Sequence, residues 1–219
     1  MSDPPAERRP VETPPGQVSR RSFVQTLGVS AAAGALGGAA ESASAQGEAS
    51  PPILGPDPVK ITLRINGKAE TATIEPATTL LEVLRIDLDH TGSKEVCDRG
   101  ACGGCSVLVD GKLIDSCMML AMDAVGAEVT TIEGLARGND LDPIQESFIR
   151  HDALQCGFCT PGLIMASKAL LNEHPKPTLD QIKSGLSGNI CRCGTYTNAF
   201  NAVLEVSGQA PIEDPGGAR

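Results

Sequence analysis

From Val59 onward apolar side chains recur at every second position. In "VKITLRI" (59–65), Val59, Ile61, Leu63 and Ile65 share one side, which is the period of a half-buried strand. Asn66-Gly67 supplies the left-handed backbone that a tight hairpin needs, and "AETATIE" (69–75) alternates back. The pattern predicts a β-hairpin. "TTLLEVLRI" then shifts to helical spacing and predicts a short helix starting near Thr79. After a glycine-rich stretch, "SVLVDGKLIDSC" (106–117) reads as a second hairpin about Asp110-Gly111, and "AEVTTIEGL" (127–135) as a closing strand. Two hairpins packed on one helix make a small α+β unit, expected at 58–135.

Beyond Gly134 the strand signals stop. "DPIQESFIRHD", "TPGLIMASKALLNEH", "TLDQIKSGLSG" and "TYTNAFNAVLEVSG" each open on Asp or Thr, and two carry Pro in the first turn. They predict four short helices forming a small bundle over 136–207. The polar end, 208–219, is expected to be a disordered tail.

The leading residues have a different pattern. A Pro-rich start runs into "SRRSFVQTLGVSAAAGALGGAA" and then Ala43-Ser44-Ala45. A basic segment, a mild apolar run and an Ala-x-Ala site are the anatomy of an export signal. Arg20-Arg21 before Phe23 resembles the twin-arginine form. Residues 1–45 are therefore expected to be a cleaved twin-arginine signal and 46–57 a linker, with the mature protein in the periplasm. The apolar run is too Gly- and Ala-rich for an anchor, so no membrane attachment is expected after cleavage.

Composition narrows the reading. The chain of 219 residues has no Trp, one Tyr and four Phe, so a metal or disulfide is the expected supplement to a lightly built core. A formal net charge of -9 argues against a nucleic-acid partner. No glycine-rich dinucleotide fingerprint occurs, so any flavin belongs to another chain. His90, His151 and His174 are isolated in sequence, and no general acid, base or nucleophile stands out. Met118, Met119 and Met122 read as core filler.

The chemistry lies in eight cysteines. Cys97, Cys102 and Cys105 fall in "CDRGACGGC", Cys117 follows the second hairpin, and Cys156/Cys159 and Cys191/Cys193 form two tight pairs. Disulfides fit poorly, because Cys191 and Cys193 are one residue apart and three thiols crowd one loop. Zinc uses Cys-x-x-Cys clips and competes best at the second group. Cys97-x₄-Cys102-x₂-Cys105 with Cys117 beyond has the plant-type [2Fe–2S] spacing. Two irons bridged by two sulfides need two thiolates each, and Gly100, Gly103 and Gly104 let backbone N–H groups approach the sulfurs. The reading assigns one [2Fe–2S] cluster to Cys97, Cys102, Cys105 and Cys117, and a second to Cys156, Cys159, Cys191 and Cys193. The helices beginning at Thr160 and Thr195 would turn their positive ends toward the second.

The order of a plant-type loop, then "LQCGFCTPG" and "GNICRC" on a helical bundle, resembles the iron–sulfur subunits of the molybdenum hydroxylases. These include xanthine dehydrogenases, aldehyde oxidoreductases and carbon monoxide dehydrogenases. With the export signal, the chain is most similar to the subunit of a periplasmic aldehyde oxidoreductase. The resemblance implies an α+β chain with an N-terminal plant-type ferredoxin β-grasp domain followed by a four-helix-bundle [2Fe–2S] domain. It also implies an electron-transfer role: electrons leave a molybdopterin centre in a large partner subunit, cross the helical-half cluster and then the β-half cluster, and reach FAD in a third subunit or another acceptor. Oxidation of aldehydes to carboxylic acids is the favoured overall reaction, with N-heterocycle or purine hydroxylation, or a free-standing two-cluster carrier, as alternatives. By motif match Gln155 hydrogen-bonds the pterin and Cys193 lies against it. Arg192 reads either as a surface charge or as a cation tuning the second cluster. Two departures touch no ligand: the family commonly reads Cys-Arg-Cys-Thr-Gly-Tyr where this chain has Cys-Arg-Cys-Gly-Thr-Tyr (191–196), and Arg99 and Gly104 stand where many members carry Gly and Ala.

Overall fold

The computed structural model describes residues 55–212. The expected export signal, most of the linker and the last seven residues lie outside the described residues. β1 (Val59–Ile65) runs antiparallel to β2 (Lys68–Ile74). Asn66 and Gly67 turn the chain at φ 52° and 77°, as the Asn-Gly pair requires. The helix that follows, α1 (Leu80–Glu82), is capped by Thr79, whose hydroxyl accepts from Glu82 N. It widens at once into a π-turn over Val83–Asp87. The wider turn holds Arg85 so that its guanidinium donates to the carbonyls of Thr91 and Ser93, tying down the stem of the cysteine loop.

β3 (Ser106–Val109) and β4 (Lys112–Asp115) form the second hairpin around Asp110-Gly111. The closing strand β5 (Glu128–Thr130) does not add at an edge. It inserts between the hairpins, parallel to β1 and antiparallel to β3, giving the order β2-β1-β5-β3-β4. Ile61, Leu63, Ile65, Val107 and Val129 point inward against Leu80, Val83 and Leu84. This sheet grasping one helix is the β-grasp expected from the alternation.

The second half is the four-helix bundle: α2 (Pro143–Arg150), α3 (Thr160–Glu173), α4 (Leu179–Gly185) and α5 (Tyr196–Val206). Asp142 with Gln145, and Thr178 with Gln181, form reciprocal capping boxes, which settle two helix starts locally. Ile144, Phe148, Leu163, Ile182, Leu186 and Val203 build a separate core. Of the segment expected as a disordered tail, the described part is held against the bundle: Gln209 Nε2 donates to Pro177 O and Ile212 N to Asn201 Oδ1. Among the described residues no helix is long and apolar enough to cross a membrane.

Candidate iron–sulfur centres

The first thiol group sits between the π-turn and the β3–β4 hairpin. Asp98, Gly100 and Gly103 all have positive φ, at 51°, 64° and 66°, so the backbone coils back on itself within six residues. Gly103 leaves no room for a side chain: a Cβ there would fall 2.4 Å from Asn189 Nδ2. The coil turns N–H groups toward sulfur, with Gly100 N to Cys117 Sγ at 3.3 Å and Ala101 N to Cys97 Sγ at 3.4 Å.

The thiols lie two and two: Cys97 neighbours Cys102, and Cys105 neighbours Cys117. Backbone N–H groups of Arg99 and Ala101 bring the Cys97 thiol down to about 7, while burial raises Cys102 and pushes Cys105 to about 12. Cys105 and Cys117 are buried against Leu81; Cys97 and Cys102 face outward, half-covered.

The second group repeats this arrangement on different elements. Cys156 precedes α3 and Cys159 occupies its N-cap position, while Cys191 and Cys193 lie on the loop before α5. Cys156 neighbours Cys193, both exposed; Cys159 neighbours Cys191, both more deeply set. Burial pushes Cys159 to about 12. At Cys191 burial acts upward but is outweighed by the Thr195 hydroxyl and backbone, bringing the thiol down to about 7. The Thr195 hydroxyl lies 3.2 Å from Cys191 Sγ. The backbone N–H of Phe158 lowers Cys156.

All eight cysteines are free thiols. Among the described residues no three Cys, His, Asp or Glu side chains converge as a site for one ion. A structural zinc needs four thiolates closing on one point at about 2.3 Å, whereas paired thiols served by backbone N–H donors suit two irons with two thiolates each. The all-sulfur donor sets therefore fit [2Fe–2S] centres.

Gln155 is exposed beside Cys156, and Arg192 is exposed between Cys191 and Cys193. An apolar groove of about 320 Å³ is lined by Phe148, Ile149, Ile164 and by Leu154 and Gly157, which flank Gln155 and Cys156 in the chain. The histidines join neither thiol group: His90 pairs with Glu70, and His151 with Glu205. Met118 corrects the expectation of core filler. It is 66% exposed and lies over the bare backbone of Gly100, where a Cβ would meet its Cγ at 2.8 Å. Met119 and Met122 do pack on the β-domain core.

Three residues that the sequence reading passed over connect the groups. Ile190 N donates to Cys102 O at 2.9 Å. Asn189 Nδ2 donates to Gly103 O at 2.8 Å. The Tyr196 hydroxyl accepts from Cys191 N at 2.7 Å and donates to Asn189 O at 3.2 Å. The adjacency of "GNIC" to the second thiol pair was the available signal, but nothing in it named the partner loop.

A β-grasp and a helical bundle with paired thiols on joined loops define a two-domain ferredoxin-type iron–sulfur protein. The chain matches the "2Fe-2S iron-sulfur cluster binding domain" family over residues 63–132 and the "[2Fe-2S] binding domain" family over 131–204. It is 39% identical over 207 residues to the aldehyde oxidoreductase iron–sulfur-binding subunit of Escherichia coli O157:H7, covering 88% of this chain and 89% of that protein. It is 46% identical over 155 residues to a probable subunit of xanthine dehydrogenase from Bacillus subtilis, covering 69% and 89%. Among solved structures it is similar to a chain of quinoline 2-oxidoreductase from Pseudomonas putida 86, with a TM-score of 0.64, 39% identity, and coverage of 71% of this chain and 99% of that one. The chain belongs to the iron–sulfur subunits of the molybdenum hydroxylases.

Proposed function

We propose that Cys97, Cys102, Cys105 and Cys117 hold one [2Fe–2S] cluster and Cys156, Cys159, Cys191 and Cys193 the other. The chain then carries electrons from the molybdopterin centre of a large partner subunit to FAD in a further subunit, or to another acceptor. Each bound cluster would supply one-electron storage. The observation that carries this reading is the repeated two-and-two thiol arrangement on loops joined by the Ile190–Cys102 hydrogen bond. The chain's own residues position sulfur, supply N–H donors from Gly100 and Ala101, and bury one thiol pair of each group. Cys156, Cys193 and Gln155 are exposed together with the neighbouring apolar groove, which suits contact of Gln155 and Cys193 with a pterin brought by the large subunit.

Aldehyde oxidation in the periplasm is the reading we favour. The likeness to an aldehyde oxidoreductase iron–sulfur-binding subunit that takes in 88% of the chain supports the aldehyde reading, and the Arg20-Arg21 pattern before Phe23 supports export. N-heterocycle hydroxylation is the second reading, supported by the quinoline enzyme's 39% identity over a whole chain. The test is purification of the native complex from the periplasmic fraction, with iron, labile sulfide, molybdenum and flavin assayed. Bleaching of the visible spectrum by an aldehyde, and not by quinoline or xanthine, is expected. A lone chain eluting without molybdenum would make it a free carrier instead.

A further inference from the structure

The two cysteine loops meet at one side chain. Asn189 is 3% exposed and stands two residues before Cys191. Its Nδ2 donates to Gly103 O at 2.8 Å and to Ser106 Oγ at 3.3 Å, so both amide hydrogens go to the loop that carries Cys102 and Cys105. Ser106 Oγ donates to the same Gly103 carbonyl at 2.8 Å. The Asn189 carbonyl accepts from Tyr196, whose oxygen receives Cys191 N–H. One residue is thus bonded toward both thiol groups.

The fit has no slack. A Cβ at Gly162, in the first turn of α3 and three residues after Cys159, would fall 2.1 Å from Gly103 O. The Gly103 carbonyl is therefore held by the Asn189 amide and abutted by the backbone of α3. An apolar contact is non-directional and tolerates sliding. A buried amide with both hydrogens committed does not, because displacement leaves buried polar groups unpaired. Such a network specifies one arrangement.

We propose that Asn189, seated against Gly103 and Gly162, is a positioning residue that fixes the separation and orientation of the two cluster loops, so that electron exchange between the centres depends on it. The inference rests on the two-cluster reading above. It assigns Asn189 no contact with either centre; the residue acts through the Gly103 and Cys191 backbones.

The experiment uses the holo-complex with Asn189→Asp, which removes the amide donor, and Gly162→Ala, which keeps the Asn189 amide but drives a methyl onto the Gly103 carbonyl it holds. Iron and labile sulfide are assayed, melting is recorded, and electron paramagnetic resonance of the fully reduced protein reads the splitting between the two cluster signals. Both variants are expected to retain iron and sulfide, with the splitting narrowed or lost and exchange between centres slowed. Should Asn189→Asp fail to fold, Gly162→Ala reads the seat with the Asn189 side chain unchanged. Wild-type splitting in a loaded Gly162→Ala protein overturns the proposal, even if it melts lower, since that is fold stability only. Iron loss confined to one group in Gly162→Ala also overturns it, assigning the contact to cluster retention. Two uncoupled signals in the wild type do the same. A wild type without two signals fails the two-cluster reading itself, a distinct result.

Discussion

The backbone N–H of Ile190 donates to the carbonyl of Cys102 at 2.9 Å, joining a loop of the β-grasp half to a loop of the bundle one residue before Cys191. The Ile190 side chain takes no part in this; it is 56% exposed. Ile190→Ala is therefore expected to melt within about 0.5 kcal/mol of wild type. Ile190→Pro removes the donor and leaves the Cys102 carbonyl unpaired, at a cost of about 1–3 kcal/mol. Thermal melts separate the two variants, and freeze-quenched paramagnetic resonance should show slowed exchange between the centres for proline alone.

Tyr196 does for the second group what Ile190 does between groups. Its hydroxyl receives Cys191 N–H and caps Asn189 O, while its ring packs into the bundle beside Phe200. Tyr196→Phe keeps the ring and strands both backbone groups, so about 1–3 kcal/mol of stability is expected to be lost. Iron should leave the helical half first on incubation with a chelator. Equal loss from both halves would show that Tyr196 has no local role at Cys191.

Much of this was legible in the chain. Alternation in 59–65 and the Asn66-Gly67 and Asp110-Gly111 turns encode both hairpins within a few residues, and Asp142 and Thr178 encode helix starts. What was not legible depends on contacts between distant segments. β5 inserts between β1 and β3 because Val129 completes an apolar row with Ile65 and Val109, a choice that three residues cannot announce. The predicted helix at Thr79 forms, but after Glu82 it opens into a π-turn from which Arg85 reaches Thr91 and Ser93. The eight cysteines were visible by spacing, while the Asn189 contact was not, since an Asn before Cys191 reads the same whether it meets water or Gly103. Met118 was misread because an apolar residue beside apolar neighbours looks buried until the glycine beneath it is placed.

The two thiol groups share no member, which gives a prediction about loading. Cys117→Ala removes a thiol from the inward pair of the first group, and Cys156→Ala one from the outward pair of the second. Each variant is expected to lose one of the two paramagnetic signals of the reduced protein and about half its iron. The Cys156 variant, at an exposed loop, should keep its fold better than the Cys117 variant, whose thiol packs on Leu81. Loss of both signals from the Cys156 variant would contradict separate centres.

Glu133 ties the stem of the first cysteine loop to the junction between the halves, and it makes that tie dependent on pH. Its Oε1 accepts Gly92 N–H at 2.7 Å and its Oε2 accepts the Thr131 hydroxyl. Gly92 cannot carry a side chain there, since a Cβ would fall 2.2 Å from Ile132 Cγ2. Burial acts to raise the Glu133 carboxyl, but bonds from Thr131, its own backbone and Gly92, with His90 nearby, hold it below its ordinary 4.5. A carboxyl lowered on folding contributes stability that is fully present above 4.5 and is lost as pH falls through the folded value. Glu133→Gln is therefore expected to melt lower than wild type at neutral pH, by less than about 1 kcal/mol because the residue is exposed and its charge is screened by solvent. The two proteins should converge only as pH falls from 4.5 through the lower folded value, where the native carboxyl takes up its proton. Acid damage common to both cancels in the difference between paired melts. A gap that widened toward low pH would mean that Glu133 is held protonated and that the bonds to Gly92 and Thr131 have been misassigned.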